Sequence, residues 1–550
     1  MDDSFVKAPV AVPKLSGFDK SHQNLLTSKC GTITPILVDE LIPGSKVNLK
    51  LALSASLPPL ASETYMRCSI KCEAFFVPMR LLVGSFENWF TDDAKRFFTG
   101  DDPASVRGFL PVIQGISPGS TPLPDWQNNM GKPGSLSDYL GYRCVNPNSL
   151  FYDPITALPF LAYHKIYNDW YRNSLVQNEC FLPPVLQAEY GSGFGASPAT
   201  APYQFFSDDN SFSYIWNSTN DGFWRLADGH SLFDLRQRNF GLDYFTTATP
   251  NPQQGDAQVV TFDTSGATGQ FSIATLRAVN SMQQFKERNN LLGNLYVEQL
   301  AGRYGVRPSD GIAQRSLYLG RGEFEVYSKG VYQTAPNNEN NFGTTNPFGD
   351  SVGARFGSAY ASGDSFIIKG FEAKEPGYIF VMATLVPRVT YSSGIDKMLE
   401  HYIGPGSLSD MANPILQNVG PQPIRERELT GGNTDVVFGY TDRYAEFKTK
   451  QDTLHGLLRD GQSLDSFALQ RSFAVSASLG INSDFLQIPT DYLDQVTAVS
   501  ENLSSYGYWM DCFFDYRVAM PLSKYSLPSL QDPAYEHGRT IVVPKGGSKL

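Results

Sequence analysis

The chain has 550 residues, with 44 Lys and Arg against 55 Asp and Glu, a net charge of −11 and a sequence pI near 5.2. Only 18% of residues are charged while 13% are aromatic, which excludes a disordered polyelectrolyte. The absence of a dense basic run excludes a chain that neutralises packaged nucleic acid by itself. Low charge with many aromatics suits extensive burial, including burial against other subunits, although Tyr and Phe also enrich β-strands.

In chain order the candidate strands are 32–38, 46–55, 66–77, 258–262, 366–371, 378–390, 443–447 and 506–520. Pro35, Pro78 and Pro387 mark strand ends or edges, because proline cannot donate to a ladder. Helical blocks fall near 155–172 and 273–303, with shorter ones at 86–98 and 392–401. In the second block Leu276, Val279, Met282 and Phe285 recur near every 3.6 residues, and Leu295, Val297 and Leu300 resume the spacing past Gly293. That predicts a bent helix or helical hairpin whose apolar face packs a core. Gly, Asn, Ser and Pro collect at 100–147, 183–228 and 335–364, the expected insertions or surface loops. No fixed-period repeat is evident. Distant strands joined by very unequal loops predict a mainly β fold: an eight-stranded antiparallel jelly-roll β-sandwich with long loop and α-helical insertions, one elaborated domain over 1–550.

Signals of catalysis are weak. The segment GSGFGA at 191–196 fits a dinucleotide-binding glycine pattern, but neither a strand before it nor a helix after it supports that reading. His22, His164, His230, His401, His455 and His537 form no metal-binding pair on a helix, and no nucleophile elbow or phosphate-binding loop occurs. Glu323 and Glu325 share one face of an extended GEFEV and read as solvated carboxylates, while a glycosidase-type carboxylate pair stays open from sequence. Six cysteines, Cys30, Cys68, Cys72, Cys144, Cys180 and Cys512, lack zinc spacing. Cys68 and Cys72 fall on one strand face roughly 13 Å apart, too far for a disulfide, and read as small core residues of a reducing compartment. The N-terminus lacks an apolar export signal, and the longest apolar run, Tyr378 to Val386, is far short of a membrane span. No catalytic residue, cofactor or metal ligand is therefore expected.

Several segments, taken in order, resemble one family. Phe18 to Leu51 carries a turn on Asp39, Glu40, Pro43 and Gly44 between two strands, and Cys72 to Leu82 is an aromatic strand ending in Val-Pro-x-Arg. Leu158 to Arg172 holds Pro159, Phe160, Ala162, Tyr163, Ile166, Tyr167, Asn168, Trp170 and Arg172. Leu235 to Asp256 includes Asp243 and Tyr244, and Ser272 to Gly322 contains Arg288, GVRPSD and Tyr318. Gly377 to Leu399, Arg443 to Arg459 and Asp511 to Leu530 complete the series. Together they resemble the major capsid proteins of the microviruses, small single-stranded DNA phages, and are most similar to the gokushovirus-like branch.

The resemblance implies a jelly roll whose copies form an icosahedral homo-oligomeric shell, with T=1 geometry, around circular single-stranded DNA. It implies as partners a small basic DNA-binding virion protein, a minor capsid or pilot protein and a host cell-surface receptor, with no membrane. The location implied is the virion, after synthesis and assembly in the bacterial cytoplasm. Lys7, Lys14, Lys20, Arg539, Lys545 and Lys549 near the termini are the candidate genome-facing cations, against a default of solvated chain ends. Relatives carry a long insert before the LR helix, where this chain has only the short stretch 256–271, so a large protrusion is not expected there. The alternative from composition is an extracellular β-rich carbohydrate-active enzyme or binding module, which would need an export signal; a surface-layer protein would need that and internal repeats.

Overall fold

The computed structural model describes residues 5–13, 15–83, 86, 112–113, 132–142, 155–180, 228, 230–256, 273–292, 295–332, 355–401, 412–432, 436–475, 479–498, 507–522 and 535–544. The strands are β1 (Phe5–Pro13), β2 (Ser16–Asp19), β3 (His22–Ser28), β4 (Thr34–Leu41), β5 (Lys46–Ser56), β6 (Cys68–Pro78), β7 (Val112–Ile113), β8 (Ile155–Thr156), β9 (Leu317–Tyr332), β10 (Arg355–Glu372), β11 (Gly377–Pro387), β12 (Gln422–Arg425), β13 (Val437–Thr441), β14 (Tyr508–Met520) and β15 (Tyr535–Pro544). The helices used below are α1 (Leu136–Tyr139), α2 (Leu158–Ile166), α3 (Ile273–Leu292) and α4 (Tyr296–Tyr304).

β2 and β3 both pair with β14 and act as one bent strand. With them counted once, sheet I runs β2/β3–β14–β5–β10 and sheet II runs β9–β6–β11–β4, all antiparallel. Ranked along the chain, these eight positions read 1-8-3-6 and 5-4-7-2, the order a long antiparallel ribbon gives when it wraps into two sheets, a jelly roll. The long strands β9 and β10 bend from one sheet to the other and pair along Tyr327↔Tyr360, closing one side. On the other side β3 and β4 are stitched by side chains: Asn24 Nδ2 donates to the Ile36 carbonyl at 2.8 Å, and the Ser28 and Thr34 hydroxyls meet at 2.6 Å. Neither side is left as a long open edge that would recruit stray strands.

The burial pattern follows from this layering. β14 and β5 alternate strictly, so Val47, Leu49, Leu51, Leu53, Met510, Phe514 and Tyr516 face Ile70, Cys72, Ile379, Val381 and Leu385 of sheet II across the core. β11 is instead buried at every position, because its second face carries Tyr378, Phe380 and Met382 under α2. That second layer comes from the insertion between β6 and β9. The insertion between β11 and β14 plugs one end of the sandwich with Ile488, Tyr492, Leu493 and Val496, and its Tyr391, Phe438 and Phe485 form a further cluster around Phe245 of the β6–β9 insertion.

Several expected elements need correction. The run 443–447 is not a strand: Ala445–Lys448 form a helical turn. The 392–401 block shrinks to a 3₁₀ turn at Lys397–Glu400. The stretch 335–364, read as loop, ends in strand, since 355–364 belong to β10. Its glycines are there for space: a Cβ on Gly357 would lie 2.3 Å from the Ser62 carbonyl oxygen. The stretches 183–227, 258–262 and 335–354, the glycine pattern at 191–196 and all of 86–98 but Phe86 lie outside the described residues.

Candidate functional site

Three polar clusters knit the insertion between β6 and β9 together, and the first of them ties it to β6 of sheet II. In the first, Arg238 makes a two-pronged pair with Glu73 of β6 at 2.7 and 3.2 Å, and the Tyr171 hydroxyl donates to the same carboxylate at 2.7 Å. Burial alone would raise the Glu73 carboxyl, but the guanidinium of Arg238 holds it below its ordinary value. In the second, Arg236 clasps Asp228 at 2.6 and 3.2 Å and lies over the Tyr167 ring. The Arg236 Nε also donates to His164 Nδ1 at 3.2 Å, while His164 Nε2 donates to the Leu232 carbonyl at 2.9 Å. An acceptor at Nδ1 and a donor at Nε2 fix one neutral tautomer. Complete burial, reinforced by Arg236, holds this imidazole far below its ordinary pKa. In the third, Asp169 accepts from the Ser316 amide and hydroxyl at 2.9 Å, Trp170 Nε1 donates to Ser316 Oγ at 2.9 Å, and Arg315 stacks on the Trp170 ring.

None of these clusters is an active site. Every carboxylate in them is already held by protein donors, and no group of His, Cys, Asp and Glu that could hold a metal ion occurs among the described residues. The five described cysteines are free and buried. Burial pushes the Cys68 thiol up to about 12 and those of Cys30 and Cys72 well above their usual range, so they are inert core groups. Glu323 and Glu325 lie exposed on one face of β9, where Ser69 donates to Glu323 and the Tyr327 hydroxyl to Glu325.

The unusual features are surfaces. α3 reverses the expected burial: it leans on 251–256 through Gln254, Lys286 and Asn290, whose contacts go to Asn289, Asp256 and Asn251 carbonyls, while Leu276, Met282 and Phe285 face outward. The helix is not a core-packing element. The outer face of sheet I is the second surface. Among the described residues only the α1 segment reaches over it, at one end where the Tyr139 hydroxyl donates to the Thr27 carbonyl, and Trp509, Phe513, Phe366 and Tyr360 are 47%, 50%, 55% and 48% exposed. Among the described residues, no helix is long and apolar enough to cross a membrane.

The family model described as capsid protein (F protein) matches residues 9–530. The chain belongs to this phage capsid protein family. It is also 26% identical to capsid protein VP1 of Chlamydia phage 1, covering 96% of this chain and 98% of that protein. Similar matches are capsid protein VP1 of Bdellovibrio phage phiMH2K, at 26% over 96% and 97%, and that of Spiroplasma virus 4, at 24% over 93% and 94%. It is a structural major capsid protein of Microviridae type, a virion component whose copies form a multimeric shell, and the enzyme alternative finds no support.

The motif residues of the capsid protein turn out to be joints. Asp39 accepts from Lys20 and from the Tyr516 hydroxyl, both at 2.7 Å, fastening β4 to β14. Glu40 sits opposite Tyr378, and Pro43 and Gly44 make the β4–β5 turn, with Gly44 at φ +87°. Pro159 opens α2, where its missing N–H costs nothing. Tyr167 lies in the second cluster and Trp170 in the third, and the Tyr318 ring meets Phe75 edge-on and Trp170 at a tilt. The Asp243 carboxylate caps its own turn and accepts from Tyr391, Tyr244 donates to the buried Glu428, and Arg288 is exposed on α3. Of the terminal cations, Lys20 is the partner of Asp39, and Lys14, Lys545 and Lys549 lie outside the described residues. Lys7 and Arg539 lie in β1 and β15, which pair antiparallel with Lys7 opposite Val542 and Arg539 opposite Val10. Sequence reasoning missed the sheet I face; its signal was the alternation of Trp509, Asp511, Phe513 and Asp515 against an apolar partner row.

Proposed function

We propose that copies of this capsid protein close into a T=1 icosahedral shell around circular single-stranded DNA, with the open face of sheet I toward the interior. The carrying observation is the asymmetry of the sandwich: sheet II is covered by a fastened insertion layer, while the outer face of sheet I, among the described residues, is mostly open and aromatic. Insertions on the outer side suit host recognition, since loops on a rigid scaffold carry variable contacts. The outward apolar stripe of α3, with Met282 and Phe285, is read as a contact with a second copy, because closed symmetry lets each modest patch repeat around the shell.

A net charge of −11 leaves the bulk of the phosphate charge to other partners, which favours a small basic DNA-binding virion protein and a separate minor or pilot protein. Five buried free thiols suit assembly in the host bacterial cytoplasm. Lys7, Arg539 and the other terminal cations remain candidates for genome contact, and a flatter surface at 256–271 remains the reading of that short approach. The test is expression of the full chain followed by sedimentation and electron microscopy. Uniform isometric particles are expected. A monomer at every salt and pH, able to bind or hydrolyse glycans, would overturn the reading.

A further inference from the structure

We infer that the outer face of sheet I is a binding surface for unpaired nucleotides, with Trp509 and Phe513 as stacking platforms; this rests on the interior placement proposed above. The strand register draws the site. On the central strand β5, Ala52, Ser54 and Ser56 point outward and form a low floor. Trp509 and Phe513 of β14 stand beside Ser56 and Ala52 on one flank, and Tyr360 of β10 stands beside Ser56 on the other. Phe366 stands beside Lys50, and Tyr327 of β9 extends the Tyr360 row. The result is a trough two strand spacings wide, roughly 10 Å, with rings on both walls.

At one end the trough deepens into a cleft of about 920 Å³ between β3, β14, β5 and the α1 segment, lined by Gln23, Thr27, Ser54, Ser56, Tyr139 and Trp509 among others. Hydroxyls and an amide beside a half-exposed indole suit a base, which offers a π-face to stack and polar edges to hydrogen bond.

The charges favour nucleic acid over an apolar protein surface. Two carboxylates on this face are paired with cations, Asp515 with Arg517 at 3.0 Å and Asp364 with Lys50, while Asp511 accepts from the neutral Gln23 amide at 2.7 Å. Lys369 lies 5.5 Å from the Phe366 ring centroid, and Lys329, exposed opposite Ser358, has no ion pair among the described residues. Rings to stack bases with a few cations for phosphates is the pattern of sequence-tolerant single-strand binding, and open antiparallel sheet faces bind unpaired bases in the same way.

The probe is a fluorescently labelled oligothymidine of twenty nucleotides, titrated into the full-length capsid protein, with tryptophan emission of the wild type followed in parallel against that of Trp509→Phe, the difference reporting Trp509. Quenching of that emission is expected, with a shallow salt dependence reflecting few phosphate contacts. Trp509→Ala/Phe513→Ala, changing exposed side chains only, is expected to weaken binding by roughly 5- to 150-fold per lost stack, while Lys329→Ala/Lys369→Ala lowers the salt slope. Unchanged affinity in the aromatic double variant, or equal competition by duplex DNA, would overturn the inference. So would loss of particles by that variant with oligothymidine affinity intact, which would make the face a contact between copies. If wild-type chain binds as expected but never forms particles, the shell reading fails and this site stands.

Discussion

At the scale of single residues, the buried ion pairs under α2 carry more consequence than any surface charge. Removing one partner of Glu73–Arg238 strands the other in a dry environment, so Arg238→Met is expected to cost about 3–5 kcal/mol in urea unfolding, and Glu73→Gln/Arg238→Met substantially less. His164 gives a sharper reading. Its folded pKa is depressed, so acidification protonates the unfolded chain first, and stability falls as pH drops below about 6.5 at up to about 1.4 kcal/mol per pH unit. Glu73 and Asp228, also depressed, contribute stability present above about pH 4 and lost below it. Unfolding free energies measured between pH 7 and 5 should therefore slope downward, and the slope should flatten in His164→Gln; an unchanged slope would put its source elsewhere. These clusters were only half legible. The sequence placed Pro159, Tyr167 and Trp170 in one helix, but Arg236, Arg238 and Asp228 join it through a long-range return of the chain that no local spacing encodes.

At the scale of elements, alternation made β5, β6 and β14 readable within a few residues, and a continuous apolar run did the same for β11, which meets a core on both faces. β9 and most of β10 escaped because their sequences are rich in Gly, Ser and Tyr and resemble loop. They must bend between sheets, and small residues fit the close approaches there: a Cβ on Gly320 would lie 2.2 Å from the Ile367 carbonyl oxygen. Gly357→Ala, at a buried and crowded position, is accordingly expected to lower the melting temperature by roughly 1–3 °C, through about 1–3 kcal/mol of overpacking against Ser62. A neutral result would mean the strand is looser than its packing implies. For α3 the period was right and the destination wrong. Periodicity reports that one face is apolar, and whether that face meets its own core or a neighbouring copy is decided by the assembly. Leu276→Glu/Met282→Glu should leave the melting temperature of the unassembled chain unchanged and sharply reduce particle yield in sedimentation; a lowered melting temperature with normal yield would assign the face to folding instead.

At the scale of the whole molecule, the jelly roll supplies a sandwich with no long open edge, and the insertions make its two faces unlike. One face carries a layer fastened by buried ion pairs; the other, among the described residues, is mostly open and aromatic. An acidic chain with such a face does not condense nucleic acid. In the proposed reading it lines a container, holding bases by stacking while another component neutralises phosphates. Overall fold class and family were legible in the sequence because eight separated motifs kept their order, whereas the orientation of the sandwich was not, since alternation is the same seen from either side. Cryo-electron microscopy of particles assembled from the full chain tests this most directly. The sheet I face bearing Trp509 and Phe513 is expected to line the lumen, with the α2 layer outside; a shell presenting that face to the exterior, or sealing it between copies, would contradict the account.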